Sequence, residues 1–403
     1  MLTGSGARRR EAASREGVII VGASVAGLHA AARLAHEGVR VRVFERAPSL
    51  DPAARTLIVT SRLFELMGPR AAECVVNHVD GYELKAGSRS VSVDLLDGDI
   101  VIERRQLMAT LEAEAAAAGA EILYDRRFVT LASGSTVELK FIDSEGRLHY
   151  EAGRSVIASD GALSSVAQAL GVPRPPLVPL MQAIIPMPPW LTPRRSIVWF
   201  RPDDTSFFYW LIPGQDGNAS LGVIADEGTH PRLLLDAFLK EHGLRALEYQ
   251  AARIPRYASW IEPVRSAGEG WVYLAGDAAG QVKVSTIGGV INGLQGAEAA
   301  VDLALGRRSR ALTGLRRELR AHLMVRRVMA GFNTAEHEHL LGLLDQPALR
   351  TLGRVNRDRA VRLVAGLLVR KPQLLLLAAG SLARSAPSRQ VAVDMPVPED
   401  RVA

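Results

Sequence analysis

Apolar and polar positions in the first 160 residues alternate between two patterns, one typical of buried strands and one typical of helices. Residues 18–21 and 41–44 are mainly apolar runs, and between them a glycine-bearing turn precedes a segment with helical periodicity. Residues 99–131 repeat the theme, with a strand end, an alanine-rich helix, a glycine at the helix end and another strand. Two or three more strands are expected over residues 133–158. The pattern predicts an α/β fold with a parallel sheet.

The pattern changes at residues 173–195, where PRPPLVPLMQAIIPMPPWLTPRR carries too many prolines for a helix interior. Residues 196–226 then alternate in the manner of antiparallel strands, and a helix is predicted over residues 231–242. WVYLAGDAAG, residues 271–280, returns to the buried parallel-strand pattern, and from Gly293 onward the chain is mostly helical in pattern. The parallel sheet must therefore be discontinuous in sequence, with a sheet-rich insert between its parts.

Composition restricts the classes of protein to be considered. Hydrophobic residues make up 48% of the 403 residues, which indicates a globular chain, and the net charge of +6 is mild for this length. Basic residues form no run interleaved with aromatics, so no nucleic-acid partner is predicted. The single cysteine, Cys74, excludes a disulfide within the chain and a cysteine-based metal site, and it suits a reducing cytoplasm. In the EHEH segment, His337 and His339 are two residues apart and would lie on different faces of a helix, so no metal site is predicted.

The two ends of the chain bear on its location. Residues 1–16 are polar and basic without the apolar core of a secretory signal, and they are expected to form a disordered tail, with a second tail at 386–403. No run of about 18 uncharged apolar residues appears, so no transmembrane helix is predicted. Residues 360–384 are apolar but broken at Pro372, which predicts two short helices that either pack on the body of the protein or lie in a membrane interface. The sequence therefore predicts a cytoplasmic protein, with peripheral membrane contact left open.

The turn after the first predicted strand carries the first candidate chemistry. In GASVAG, residues 22–27, Gly22 permits a tight turn and Gly27 permits close packing of helix on strand, as in the G-x-G-x-x-G turn of nucleotide-binding folds. Ser24 stands where that turn approaches a pyrophosphate, and its hydroxyl could donate to a phosphate oxygen at the N-terminus of the helix. Glu45 ends the second strand at the usual spacing for binding a ribose hydroxyl. The segment predicts a nucleotide site, with an ordinary strand–helix turn as the alternative.

A second glycine-rich segment lies near the end of the predicted parallel sheet, in AGDAAGQVKVSTIGGVINGLQGAEAA, residues 275–300. Asp277 follows a strand and could bind a ribityl hydroxyl. Gly288 and Gly289 open a helix whose first amides, with that of Val290, could face a flavin pyrimidine edge and stabilise negative charge on the reduced ring. The pairing of this segment with the opening turn favours a flavin site over a silent strand–loop–helix.

These two segments resemble those of FAD-dependent oxidoreductases of the glutathione-reductase-like fold, most closely geranylgeranyl reductases and the related flavin hydroxylases and halogenases. Where that family often has GAGPAG and GDAAGQVKPTTGGGI, this chain has GASVAG and GDAAGQVKVSTIGGV. Val284 and Ile287 therefore add bulk beside the expected flavin. IERRQLMATL resembles a family element in which Arg104 would contact FAD, and SDGALSSVAQALG resembles the family's Asp-Gly motif, with Asp160 near FAD. A surface arginine at a helix start and a plain turn are the respective alternatives.

The resemblance implies a discontinuous, Rossmann-like FAD-binding domain, an antiparallel-sheet substrate domain and a helical C-terminal region. The expected domains are residues 17–60, 96–172 and 265–310 for FAD, residues 61–95 and 173–264 for substrate, and residues 311–385 for the C-terminal helices. The residues expected to bind the cofactor are Gly22, Ser24, Ala26, Gly27, Glu45, Arg46, Arg104, Val129, Asp160, Asp277, Gly288, Gly289 and Val290.

The segment FFYWLIP bears on the substrate, because geranylgeranyl reductases resemble it with Y-x-W-x-F-P and flavin halogenases with W-x-W-x-I-P. Phe208, Trp210 and Ile212 alternate onto one sheet face, which predicts a substrate-lining wall or simple core packing. The cysteine–glycine motif of many geranylgeranyl reductases is absent from PAARTLIVTSRLFELMG. A halogenase would need an active-site lysine, for which Lys85 is a remote candidate.

The leading hypothesis is an enzyme that uses FAD, reduced by NADPH or NADH or by an electron-donor protein, to reduce double bonds of an apolar, isoprenoid-like or lipid-like substrate. A monooxygenase or halogenase of a natural-product pathway is the alternative chemistry. A non-catalytic flavin-fold binding protein is the alternative of another class. The sequence names neither a catalytic residue nor the proton donor.

Overall fold

The computed structural model describes residues 17–385, so both predicted tails, 1–16 and 386–403, lie outside the described residues. The strands are β1 (Val18–Val21), β2 (Val41–Phe44), β3 (Thr56–Thr60), β4 (Val75–Ala86), β5 (Arg89–Glu103), β6 (Glu121–Leu123), β7 (Arg127–Ser133), β8 (Val137–Ile142), β9 (Leu148–Gly153), β10 (Ser155–Ala158), β11 (Leu177–Pro186), β12 (Arg195–Phe200), β13 (Tyr209–Pro213), β14 (Asn218–Ile224), β15 (Glu248–Pro255), β16 (Val264–Ala267) and β17 (Gly270–Leu274). The helices are α1 (Val25–His36), α2 (Arg62–Met67), α3 (Arg104–Ala117), α4 (Ser165–Ala169), α5 (Pro231–Glu241), α6 (Val290–Ala304), α7 (Arg310–Ala330), α8 (Thr334–Leu343), α9 (Gln346–Arg354), α10 (Ala360–Arg370) and α11 (Gln373–Ser385), with short 3-10 turns at Gly68–Cys74 and Gly276–Ala279.

The first sheet is the parallel one that the sequence predicts, in the order β16-β17-β10-β1-β2-β6, with only β16 antiparallel to its neighbour. Its inner strands are buried on both faces, which is why they read as continuous apolar runs. Helices α1, α3 and α6 cover one face through residues such as Leu28, Leu107 and Leu294. The antiparallel sheet β7-β8-β9 covers the other, where Phe44 stacks on Phe141 with ring centroids 4.5 Å apart. The predicted fold class is confirmed.

The second sheet forms a platform beside the first, in the order β15-β11-β14-β13-β12-β4-β5-β3, antiparallel except where β4 meets β12. Along β13 the side chains alternate: Tyr209 and Leu211 pack under α5, whereas Trp210 and Ile212 face the opposite side. The last strand of the platform is β3, and β5 runs as far as Glu103 as a long hairpin partner of β4.

The division between the sheets differs in two places from the boundaries expected from the sequence. Residues 56–60 and 96–103, expected in the FAD-binding domain, pair within the platform sheet because β3 and β5 form an antiparallel ladder with each other. The domain boundaries themselves stay a prediction. The long β4–β5 hairpin explains the difference. The apolar end of β5 directly precedes helix α3, so in the sequence the two together have the pattern of another β–α unit.

The C-terminal region is helical, and α10 and α11 flank Pro372 as two short helices, as predicted. Ser381 of α11 donates a hydrogen bond to the carbonyl of Val328 in α7 at 2.6 Å, so this pair packs on the body of the protein. No single helix among residues 17–385 is long and apolar enough to cross a membrane. Only Ala360–Arg370 and Gln373–Arg384 taken together meet that criterion of length and composition, and they are bent by 115° at their break.

Candidate active site

One cavity lies between the carboxyl ends of the parallel strands and the open face of the platform sheet. Its lining includes Ser24, Ala26, Arg104, Asp277, Gly288, Gly289 and Val290 from the predicted cofactor residues, together with Phe208, Trp210 and Ile212 from the predicted substrate wall. The structure thus brings together segments from both sheets and from both ends of the parallel-sheet region. Ligands of open α/β sheets bind at this edge.

The turn between β1 and α1 depends on two glycines. Gly22 has φ of +99°, and a Cβ there would lie 2.6 Å from the carbonyl oxygen of Ser159. A Cβ on Gly27 would lie 2.1 Å from the carbonyl oxygen of Gly22, so α1 can pack this closely on the strand only without a side chain there. Ser24 caps α1, because its Oγ accepts the backbone N–H of Gly27 at 3.2 Å. A hydroxyl that accepts one hydrogen bond can still donate its proton, so the cap is compatible with phosphate binding.

Several predicted cofactor residues lie outside the lining of this cavity, although they act close to it. Glu45 accepts the backbone N–H groups of Ala23 at 2.8 Å and Ala47 at 3.0 Å, and so ties the end of β2 to the glycine turn. Asp160 lies beside the start of α4, whose N-cap is Ser164, and accepts hydrogen bonds from Ser164 Oγ at 2.5 Å and from the Ser165 amide at 2.7 Å. Burial raises the pKa of Asp160, and these hydrogen bonds oppose the rise.

Two further predicted residues, Arg46 and Val129, are exposed and do not line the cavity. Val129 is 47% exposed and lies at an irregularity between β7 and β8. Gly22 and Gly27 are likewise not among the lining residues, and all of the assignments of residues to FAD stay predictions.

Around Asp277, the electrostatics of the cavity are set by two arginines and one carboxylate. Asp277 follows β17; burial raises its pKa, and Arg55 and Arg104 act in the opposite direction. Burial, with the neighbouring charge of Arg104, lowers the pKa of Arg55 to about 10, so this guanidinium is still charged at neutral pH. Among the described residues, the buried Nε of Arg55 has no hydrogen-bond partner. Two cations facing one anion leave an excess of positive charge, which suits a pyrophosphate.

Arg55 was missed in the sequence analysis. It lies in PAARTLIV, just before β3, and carries no motif of its own. The backbone N–H of Arg104 donates to the carbonyl of Arg55 at 3.0 Å, so the start of α3 fixes both arginines together. Only the pairing of β3 with β5 brings Arg55 to this position.

The glycine turn before α6 faces the same cavity. Gly289 is the N-cap of α6 and has no side chain to satisfy the first amides of the helix, so these are available to a bound group. A Cβ on Gly288 would lie 2.5 Å from Cε of Lys283, whose ammonium group is paired with Asp358. Val284 and Ile287, where the family resemblance has proline and glycine, are buried in a cluster with Leu315 and Leu319 of α7.

Ile287 adopts φ of +50°, which is unusual for a β-branched residue and stores backbone strain. The favourable free energy of burying its side chain among apolar neighbours offsets the cost of this strain. The added bulk therefore lies in a core cluster and along one wall of the cavity, and the cavity remains.

The wall opposite α6 is apolar. Phe208, Trp210 and Ile212 face the cavity from the platform sheet, joined by Leu180, Ile224 and Ile254. The ring of Trp210 lies over Gly222 of the adjacent strand, where a Cβ would be 2.2 Å from the indole. Lys85, the remote halogenase candidate, pairs with Glu83 at 3.0 Å and does not line the cavity.

The residues present fit an FAD. The glycine turn and the two arginines are suited to a pyrophosphate, and the α6 N-terminus is suited to the electron-rich edge of a flavin. Residues 15–302 match the family described as FAD binding domain. The chain belongs to this family.

Comparisons with individual proteins agree with that membership. Digeranylgeranylglycerophospholipid reductase 2 of Methanothermobacter thermautotrophicus is 25% identical over 378 residues, covering 86% of this chain and 96% of the relative. A geranylgeranyl bacteriochlorophyll reductase-like protein of Thermoplasma acidophilum superposes with a TM-score of 0.74 at 16% identity, covering 90% of this chain and 98% of the other.

Flavin enzymes with other chemistries share the fold. A flavin-dependent brominase has a TM-score of 0.64 at 15% identity, covering 91% of this chain and 99% of the other. A p-nitrophenol 4-monooxygenase of Pseudomonas putida has a TM-score of 0.59 at 16% identity, covering 91% and 97%. The FAD-binding family, with its reductase and monooxygenase members among the similar proteins, supports a plain conclusion: this protein is an FAD-dependent oxidoreductase.

Proposed function

We propose that this oxidoreductase reduces carbon–carbon double bonds of an apolar, isoprenoid-like lipid. The observation that carries the proposal is the apolar wall of Phe208, Trp210 and Ile212, which faces the α6 N-terminus across one cavity. An alkene chain lying on that wall would meet the flavin edge with little water between them. The lipid reductase that resembles this chain along 96% of its own length supports the same substrate class.

When bound, FAD supplies hydride, and we propose NADPH or NADH, or an electron-donor protein, as the source of its electrons. The residues of this chain hold and orient the reacting groups. Arg55, Arg104 and Ser24 would bind the pyrophosphate, and the amides from Gly289 onward would stabilise negative charge near the pyrimidine edge. The aromatic wall would align the double bond and exclude water.

Oxygenation of the same apolar substrate is the second candidate. It is favoured by one observation: the cavity has no thiol among its described lining residues, since Cys74 is buried in the core under the parallel sheet. Burial raises the pKa of Cys74, so the thiol is unreactive at neutral pH. A reductase mechanism that needs a cysteine at the flavin is therefore not available to this chain.

We also propose that the C-terminal surface contacts an anionic membrane from which the substrate is taken. Leu376 is 77% exposed on α11 and Val369 is 81% exposed on α10. In the same C-terminal region, a surface hollow between α9 and α10 is lined by Arg350, Arg354, Arg362 and Arg370, with no acidic residue among its described lining side chains. Exposed apolar side chains beside an excess of arginines suit a negatively charged lipid interface.

The product decides between the chemistries. Lipids are extracted from host cells with the gene, without it, and with a Gly27→Val variant whose side chain cannot fit against Gly22. A new species heavier by two hydrogens per double bond, present only with the native gene, is the expected result. A gain of one oxygen would replace reduction by oxygenation, and a gain of halogen would move the protein to the halogenases.

A further inference from the structure

A polar cluster is built into the apolar side of the cavity by residues far apart in sequence. Arg357 and Asp358 come from the turn between α9 and α10, and Arg357 lines the cavity. Asp358 is buried, accepts from Thr60 Oγ1 at 2.5 Å and forms an ion pair with Lys283, which also lines the cavity. The C-terminal region therefore supplies one corner of the candidate active site.

Tyr82 of β4 stands at the centre of this corner. Its hydroxyl donates to Asp99 Oδ2 at 2.5 Å and accepts from Arg357, which itself binds Asp99 at 2.5 Å. Tyr82 lines the cavity, and its ring packs against the core cluster that contains Ile212, against which Trp210 also packs. A phenol group is thus fixed against the apolar wall, with its position set by two charged partners.

The cluster carries no excess charge, which separates it from an anion-binding site. Lys283 and Arg357 are matched by Asp99 and Asp358, all within hydrogen-bonding contact of a partner of opposite charge. Around Asp277, by contrast, the cavity has two arginines for one carboxylate. A lipid phosphate would therefore find no net attraction at Tyr82. This corner of the cavity suits a neutral chain instead.

We propose that Tyr82 is the proton donor of the reduction, and this inference rests on the proposed function. When bound and reduced by the nicotinamide donor, FAD would supply a hydride, with its two electrons, for a new C–H bond at one alkene carbon. The π electron pair would then take the Tyr82 hydroxyl proton at the other carbon, which breaks the O–H bond and the hydrogen bond that this proton makes to Asp99. The phenolate that remains is stabilised by Arg357, and a proton from solvent restores the phenol.

The neighbouring groups suit this role. Burial, reinforced by the neighbouring Asp99 carboxylate, raises the pKa of Tyr82 well above its ordinary value, and Arg357 opposes the rise, so the phenol is protonated throughout the neutral range. Burial acts to lower the pKa of Arg357, but Asp99 and Tyr82 together hold it above its usual value, so its charge is permanent.

The test is a Tyr82→Phe variant in the FAD-loaded enzyme, with Tyr209→Phe as the matched control. Tyr209 is a buried tyrosine of the same sheet that faces α5, and its hydroxyl donates to Asp204 at 3.1 Å. We expect Tyr82→Phe to slow product formation by about 100-fold or more. FAD content and FAD reduction by the donor should stay unchanged, and stereochemical purity at the protonated carbon should be lost. Tyr209→Phe should stay within about twofold of the native rate.

A second replacement distinguishes loss of the proton donor from misfolding. 3-Fluorotyrosine at position 82 preserves the shape and the hydrogen bonds of the side chain but makes the phenol more acidic. The rate of product formation should therefore change, whereas the fold should not. Native-like rate and stereochemistry in Tyr82→Phe would overturn the inference and leave the reductase function standing. An oxygenated product from the native enzyme would overturn both.

Discussion

Lys283 and Asp358 form a buried ion pair although 75 residues separate them in the chain. Lys283 belongs to the glycine-rich segment after β17, and Asp358 precedes α10. Burial opposes ionisation of both groups, yet Lys283 and Arg357 hold the pKa of Asp358 well below its usual range. The pair fastens the C-terminal helices to the flavin side of the cavity.

Breaking this pair should be costly. Lys283→Met leaves Asp358 buried without its main counter-charge, and we expect a loss of about 3–5 kcal/mol in the free energy of unfolding. The control is Lys85→Met, which removes a partly exposed pair with Glu83 and should cost less than about 1 kcal/mol. Urea denaturation measures both. A double variant, Lys283→Met with Asp358→Leu, should recover much of the loss, and failure to recover would mean that the pair contributes more than charge balance.

His322 predicts a pH dependence of stability. Burial, reinforced by Lys283, lowers its pKa to about 4, and Ser285 lies 2.7 Å from its Nδ1. In the folded protein the pKa of His322 is below its ordinary value of about 6.5, so the unfolded chain binds this proton more readily. The contribution of neutral His322 to the free energy of unfolding is therefore complete above pH 6.5 and is lost as pH falls toward 4. The loss approaches about 1.4 kcal/mol per pH unit within the window. His322→Gln should flatten the curve of unfolding free energy between pH 6.5 and 5, whereas Gln at the exposed His36 should not.

A comparison of two adjacent arginines distinguishes a role in cofactor binding from a general effect of surface charge. Arg104 lines the cavity near Asp277, whereas Arg105 is exposed and donates to the carbonyl of Pro52 at 2.8 Å. Arg104→Ala should weaken FAD binding by about 10-fold or more, because it removes a charge-assisted hydrogen bond to the pyrophosphate. Arg105→Ala should leave affinity unchanged. FAD titration by fluorescence measures both, and equal affinities would place Arg104 outside the cofactor site.

Ser24 has two roles that substitution can distinguish. As the N-cap of α1 it should be replaceable by glycine at a cost of a few tenths of a kcal/mol, whereas alanine should cost about 1 kcal/mol. If the hydroxyl also donates to phosphate, both variants should bind FAD more weakly than the native protein. Thermal unfolding of the apoprotein and FAD titration give the two readouts. Native FAD affinity in Ser24→Gly would limit the serine to capping.

Membrane contact is tested by flotation with vesicles. We expect binding to vesicles containing phosphatidylglycerol, weaker binding to pure phosphatidylcholine, and loss of binding at high salt. Leu376→Glu should reduce binding by about 10-fold or more, since a buried leucine contributes roughly 1.5–3 kcal/mol and about 1.4 kcal/mol corresponds to a factor of ten. Leu233→Glu on α5, which is 70% exposed elsewhere on the surface, is the control. Equal binding by the two variants would exclude this surface as the contact.

Local signals were enough for the framework of this protein. Continuous apolar runs are produced by strands buried on both faces, and glycines at positions 22 and 27 are required where backbones nearly touch. Both effects act within a few residues, so the parallel sheet, the turn and the FAD family were readable from the chain. The alternation of Phe208, Trp210 and Ile212 likewise indicated one face, because side chains in a strand alternate by geometry.

What occupies the opposite side of the cavity was decided only by tertiary structure. Arg55, Tyr82 and Arg357 carry no motif, and they meet because β3 pairs with β5 and the turn before α10 folds back onto the platform. Packing also decided that Glu45 and Asp160 bind backbone amides of their own domain. A side chain's partner depends on which distant segments are folded against it, and a polar residue in the sequence does not reveal whether that partner is a ligand or the protein's own backbone.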